Sequence, residues 1–94
     1  MEKRVGSVLI VVTEKENVSK LNTVLSQHGD IIVGRMGLNL GLPGAQVISL
    51  VVHGTTDRIS SLTGKVGKLQ GFEVKSVLSK YAEEDGVENE VAEH

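Results

Sequence analysis

The sequence predicts an α+β domain of the ferredoxin-like class, a βαββαβ sandwich with an antiparallel four-stranded sheet and two helices on one face. Two nearly continuous apolar runs, at residues 4–13 and 45–53, have the β-branched composition of strands covered on both faces. Each run is followed by a segment with apolar residues at three- and four-residue spacing, which predicts an amphipathic helix. Right-handed crossovers then place the first and third strands at the centre of the sheet, and these are the two apolar runs.

The first half of the chain begins with the strand at 4–13. A polar turn follows it, and Asn17 is of the residue type that caps helix N-termini. Apolar side chains recur at helical spacing from Val18 to His28. Gly29 stands where a helix commonly ends in a left-handed residue, so we predict the end of the helix there.

The second half has a strand, a turn and another strand before the second helix. Residues 30–40 resume an extended pattern that glycines interrupt, and the Gly- and Pro-containing turn at 41–44 leads to the strand at 45–53. Thr55 or Thr56 can cap the following helix. Gly71 closes that helix, and the partial alternation of residues 72–79 predicts an edge strand.

Charge divides the chain into a domain at 1–79 and an acidic tail at 80–94. The domain has nine Lys or Arg and six Asp or Glu, a net charge of +3, whereas the tail has one Lys and six acidic residues. The tail's composition predicts disorder. The chain has no cysteine and no apolar stretch long enough to span a membrane, so we expect a cytoplasmic protein with no disulfide and no membrane contact.

Catalytic and metal-binding patterns are missing from the sequence. The acidic residues of the domain are scattered and no Ser-His-Asp arrangement follows from the spacing, so we predict no enzymatic activity. Zinc or nickel needs several converging ligands, and His28, His53 and His94 form no H-x-H or H-x-x-x-H pair. We predict no cofactor and no metal within one chain, and leave open a site shared between subunits through His53.

The second helix contains a candidate contact segment in which glycines and lysines alternate. Gly64 and Gly67 each cost about 1 kcal/mol in a helix relative to alanine, a cost that close approach of another backbone or of a ligand can offset. Lys65 and Lys68 lie on adjoining parts of one helix face. Two interpretations stay open: contact with an anion or a nucleic acid, or a solvated lysine pair beside glycines that serve tight packing.

Arg35 is the other charged candidate, because it interrupts a strand that is otherwise apolar. It either faces solvent on an edge strand or points into an interface or a ligand pocket. With Thr55 and Thr56 at the start of the second helix, Arg35 completes the set of candidate ligand or partner contacts.

The sheet face without helices is predicted to expose apolar residues of both central strands. A small monomer does not leave such a patch in water. We therefore predict a homo-oligomer, either a dimer or a tetramer.

Three segments carry a resemblance to a known family. Leu62–Gly71 reads L-T-G-K-V-G-K-L-Q-G before a strand with a V-K pair, Ile32–Gly37 reads I-V-G-R-M-G, and Lys3-Arg4 precedes the first apolar strand. Together they resemble, over residues 3–79, the small proteins named as iron-only hydrogenase system regulators. That family is similar to ACT domains and to the C-terminal domain of the nickel-responsive repressor. The resemblance implies a ferredoxin-like fold, a dimer or higher oligomer, and a regulatory role.

These observations rank three functions. We expect a non-enzymatic regulatory domain, either a transcriptional regulator or a sensor of a small-molecule effector or protein partner. A direct DNA-binding regulator is the first alternative, although no helix-turn-helix or basic arm is visible and a domain charge of +3 is weak for phosphate contacts. A metal-binding or accessory protein of the hydrogenase system is the second, although the chain lacks the histidine and cysteine ligands of the nickel repressor.

Overall fold

The computed structural model describes residues 2–41 and 46–84, which form one antiparallel sheet and two helices. The elements in chain order are β1 (Glu2–Val12), a short 3-10 helix (Lys15–Asn17), α1 (Val18–Gln27), β2 (Ile32–Asn39), β3 (Gln46–Thr55), α2 (Thr56–Lys68) and β4 (Phe72–Glu84). The strands pair in the order β2-β3-β1-β4, and every pair is antiparallel. The predicted ferredoxin-like α+β class and the central position of the first and third strands are confirmed.

The hydrophobic core lies between the sheet and the two helices. Alternate residues of the central strands are buried there, and α2 contributes its predicted apolar stripe. The core residues are Val8, Ile10, Leu21, Leu25, Ile31, Leu50, Val52, Ile59, Leu62 and Val66. Neither of the described helices has the length and apolar content needed to cross a membrane.

The turn before β4 is fastened to the turn after β1. The backbone N–H groups of Thr13 and Glu14 donate to the Gly71 carbonyl at 2.8 and 3.1 Å, and the Asn17 side-chain amide donates to the Gln70 carbonyl at 2.8 Å. Gly71 has a φ of +98°, and a Cβ on it would lie 2.8 Å from the Cβ of Glu14. Glycine is therefore required at this turn by conformation and by space.

Two residues at the ends of α1 act differently from the prediction. Asn17 occupies the N-cap position, but its side chain makes no capping hydrogen bond because it binds the neighbouring turn instead. Gly29 is not left-handed, since the only positive φ angles among the described residues belong to Gly41 and Gly71. The Gly29 N–H bonds back to the Ser26 carbonyl at 3.2 Å, so the chain leaves α1 without a left-handed residue.

Strand β4 is longer than predicted. It continues to Glu84, because its backbone pairs with the beginning of β1 as far as Glu2. Residues 80–84, which composition assigns to the acidic tail, are therefore strand residues. The predicted disorder of 85–94 lies outside the described residues.

Candidate functional site

The candidate contact residues lie in separate parts of the fold. Thr55 and Thr56 stand at the beginning of α2, whereas Lys65 and Lys68 stand in its last turn, about 15 Å further along the helix at 1.5 Å per residue. Arg35 lies on the edge strand β2. The structure thus groups residues 64–68, the Gly-Lys segment, and leaves the other candidates apart from it.

Thr55 has a structural role at the start of α2. Its hydroxyl oxygen accepts a hydrogen bond from the backbone N–H of Arg58 at 3.2 Å. Thr55 is therefore the N-cap, one of the two predicted possibilities, and Thr56 is the exposed first residue of the helix.

The glycines of the Gly-Lys segment do not serve tight packing within the described chain. A Cβ on Gly64 would meet no described atom within 4 Å, and one on Gly67 would touch only Val74, at an ordinary 3.5 Å. Within the described residues, these glycines therefore have no close packing partner that a methyl group would displace. Gly64 and Gly67 form an exposed part of the helix surface that carries no side chains. Lys65 and Lys68 flank it in the last turn, where the helix dipole favours cations.

Arg35 is exposed on the side of the sheet that carries the helices. Its guanidinium donates to the Asn22 side-chain oxygen of α1 at 3.1 Å. It also lines a shallow depression of about 300 Å³ together with Asn39 and Gln46. Of the two environments that the sequence left open, the structure has Arg35 exposed on an edge strand, and its contact with the neighbouring helix was not predicted.

His28, which the sequence placed at the end of the first helix, links the two helices. The residue is fully buried. Its Nδ1 lies 2.8 Å from the Val24 carbonyl oxygen, and its Nε2 lies 3.1 Å from the Ser61 hydroxyl on α2. Because a carbonyl only accepts, Nδ1 carries the hydrogen, and in the neutral ring Nε2 accepts from Ser61. Both ring nitrogens are satisfied within the core, so His28 is structural.

An ion pair joins the beginning of α2 to the segment after α1. The Arg58 guanidinium binds the Asp30 carboxylate through two nitrogens and also donates to the Gln27 carbonyl at 3.1 Å. The hydrogen bonds from Arg58 hold the pKa of the Asp30 carboxyl below its ordinary value, against a smaller opposing effect of desolvation. No sequence pattern indicates this pair, because its members are far apart along the chain.

We expect Asp30→Asn to reduce the acid sensitivity of the fold. A carboxyl whose pKa is lowered by folding stabilises the native state above its unfolded pKa, and this contribution is lost as the pH falls through the folded pKa. The free energy of unfolding should therefore fall less between neutral pH and pH of about 3 in the variant than in the wild type. Urea titrations at both pH values measure the difference, which will be small because Asp30 is exposed. Glu16→Gln, in the exposed turn before α1, is the control, and equal effects of both variants would contradict the prediction.

Metal ligands do not converge in the described part of the chain, where no group of three or more His, Cys, Asp or Glu side chains could hold an ion. His28 lies in the core, and His94 is outside the described residues. His53 lies on β3 beside Val51, on the sheet face opposite the helices, so a site shared between subunits would have to form on that face.

The sheet face opposite the helices, called the open face below, is apolar and exposed. Its large apolar side chains alternate along the strands with core residues, as the sequence predicted for the central strands. The most exposed are Leu9 (42%), Met36 (56%), Leu38 (50%), Val51 (47%) and Val77 (69%). A depression of about 290 Å³ lies on this face between Val5, Ser7, Val51 and Val77.

Comparison with protein families identifies residues 4–76 as a match to the TM1266-like family, described as "Iron-only hydrogenase system regulator, putative". The matched range covers most of β1, all of β2 and β3, both α-helices and the first residues of β4, and it includes Arg35 and the Gly-Lys segment. A comparison with curated proteins found no match.

Three solved structures show what the fold is similar to. The uncharacterized protein TM1266 from Thermotoga maritima is 30% identical, with a TM-score of 0.77 over 83% of this chain and 99% of that one. The ACT domain from the GTP pyrophosphokinase of Chlorobium tepidum is 20% identical, with a TM-score of 0.66 over 80% and 99%. The C-terminal domain of the MgtC protein from Mycobacterium tuberculosis is 11% identical, with a TM-score of 0.64 over 85% and 92%. The last two similarities concern the fold alone.

Proposed function

Because this chain belongs to the TM1266-like family of iron-only hydrogenase system regulators, we propose that it is a non-enzymatic regulatory domain that acts on that system by binding an effector or a partner. The observation that carries the proposal is the extent of the family match, residues 4–76, which begins in β1 and ends in β4 and so spans all six elements of the βαββαβ unit at least in part. Sensing by binding, rather than turnover, also agrees with the scattered carboxylates of the domain.

The Gly-Lys segment is the proposed contact surface. Its two helical glycines reduce stability by about 1 kcal/mol each relative to alanine and gain no packing within the described chain, so their absence of side chains favours close approach from outside. Lys65 and Lys68 flank that surface with two exposed positive charges. The partner should therefore present a negative charge, and its affinity should fall as salt rises.

Deletion of the gene in a native host with an iron-only hydrogenase tests both parts of the proposal. We expect hydrogenase abundance to change on deletion and to return when the wild-type chain is supplied. The Lys65→Ala/Lys68→Ala variant should fail to restore it, although its circular dichroism and thermal unfolding should match the wild type because both side chains are exposed. An unchanged hydrogenase level in the deletion strain would contradict the regulatory role.

If the double variant fully restores hydrogenase abundance, the Gly-Lys segment is not the contact surface. Lys15→Ala/Lys20→Ala, which also removes two positive charges from exposed positions but lies outside α2, is the matched control for net charge. Mobility shifts of hydrogenase promoter DNA over a salt series address the transcriptional form of the role. Binding that survives physiological salt and is lost in the double variant would assign the negative partner as DNA.

A further inference from the structure

We propose that the open face is the interface of a symmetric dimer in which the sheets of two copies pack face to face. The strand register aligns the open-face side chains in level rows across the sheet. The Leu9 row consists of Lys75, Leu9, Ser49 and Met36, and the adjacent Ser7 row consists of Val77, Ser7, Val51 and Gly34. On β1, β3 and β2, each position that is large in one row is small in the other.

This alternation makes the face complementary to itself. The proposed two-fold axis lies midway between the two sheets. It runs parallel to the rows and passes between the Leu9 row and the Ser7 row. It places the Leu9 row of one copy on the Ser7 row of the second copy. On β1, β2 and β3 the facing pairs are Leu9 with Ser7, Met36 with Gly34, and Val51 with Ser49, and each joins a large side chain to a small one, as interdigitating layers require. On the edge strand β4, Val77 faces Lys75 at the rim, where the ammonium group can reach water. Each pair occurs twice.

The next rows add one contact between two valines and one between a valine and a histidine. Val11 and Val47 form the row beyond Leu9, and Val5 and His53 form the row beyond Ser7. The same axis superposes these outer rows, so that Val11 meets Val5 and Val47 meets His53. The depression at Ser7 is then filled by Leu9 of the second copy.

Charge and size favour a second copy of this chain over a charged partner. The Ser7 row, the Leu9 row and the row of Val11 and Val47 contain two charged residues among the described side chains. These are Glu73 and Lys75, which both lie on the edge strand β4 and have opposite charges. Three rows across four strands, with a fourth row on β1 and β3, span about 19 by 20–27 Å, so two copies would bury about 900–1,000 Å² in total. That area lies at the lower end for a specific interface, and its centre is apolar with charges at the rim, as is typical of interfaces.

A size swap within β1 tests the proposed axis. Sedimentation velocity over a concentration series should show a wild-type dimer. Leu9→Ser and Ser7→Leu should each raise the dimer dissociation constant at least about tenfold, since each disrupts two facing pairs. The double variant Ser7→Leu/Leu9→Ser should restore most of the wild-type affinity, because Leu at position 7 then faces Ser at position 9 of the second copy.

Leu78→Ser is the matched control, because Leu78 is 40% exposed but lies on the helix side of β4. It should leave the dimer intact. Circular dichroism should show that all variants fold, since the swapped side chains are exposed. A wild-type monomer at about 100 μM would overturn the proposal. A double variant as weak as the single ones, or a Leu78→Ser variant as weak as Leu9→Ser, would overturn it as well.

Discussion

Replacement of Leu50 by lysine is expected to leave the chain unfolded, whereas the same replacement at the next residue, Val51, is expected to leave the fold intact. Leu50 has no exposed surface and lies beneath the helices, but Val51 is 47% exposed on the open face. An unpaired ammonium group in the core costs several kcal/mol. That cost is comparable to the whole free energy of unfolding of a small domain, about 5–10 kcal/mol.

Circular dichroism and urea unfolding of the two variants measure this difference. Ile10→Lys should behave like Leu50→Lys, because Ile10 is also fully buried on the helix side. The sequence alone left open whether such changes at Ile10 and Leu50 would unfold the chain or dissociate an oligomer, and the structure favours unfolding. A cooperative, wild-type-like unfolding transition for Leu50→Lys, or an unfolded Val51→Lys, would show that the two faces are assigned wrongly.

Replacement of Gly54 by alanine should have the second largest effect. A Cβ at this buried position would lie 2.6 Å from Cγ2 and 3.1 Å from Cβ of Ile31. Ile31 cannot move aside easily, because it is buried in the core and its carbonyl accepts a hydrogen bond from the His53 N–H at 2.8 Å. Overpacking of this kind costs about 1–3 kcal/mol, and more where the backbone must shift.

The matched control is the same substitution at Gly64, where the new methyl group would meet no described atom within 4 Å. Alanine there should raise the free energy of unfolding by about 0.5–1 kcal/mol, because it restricts the unfolded chain and favours the helix. Urea unfolding of both variants should therefore give changes of opposite sign. A neutral Gly54→Ala, or a Gly64→Ala that destabilises the isolated domain, would contradict the respective prediction.

Strand composition was sufficient to predict the architecture. The two apolar runs were identified as central strands because only strands covered on both sides tolerate so few polar residues. Because the runs are almost continuously apolar, their composition does not show which residues face the helices. Leu9 and Ile10 are both apolar, but Leu9 is exposed and Ile10 is buried. The extension of β4 was missed because its acidic composition resembles a disordered segment, while its backbone pairing with β1 leaves no trace in composition.

The candidate site was predictable only in part, for a related reason. The Gly-Lys segment was found because its residues are adjacent in sequence and unusual for a helix. The contacts of His28 with Ser61 and of Asp30 with Arg58 join residues that are remote in sequence, and no local pattern reports them. The need for glycine at position 54 was not predictable from the sequence, because it depends on where Ile31 packs.

The position of β1 between β3 and β4 affects when the fold can be completed. During synthesis β1 emerges before the other strands and β4 after them, and their pairing joins residues as distant as Val12 with Phe72 and Glu2 with Glu84. Closing such long loops before their contacts form slows folding relative to helical bundles. Until β4 has left the ribosome, β1 therefore keeps one unpaired edge, which can recruit other extended chains. Translation through the last strand thus sets the period during which the nascent domain is most prone to aggregate.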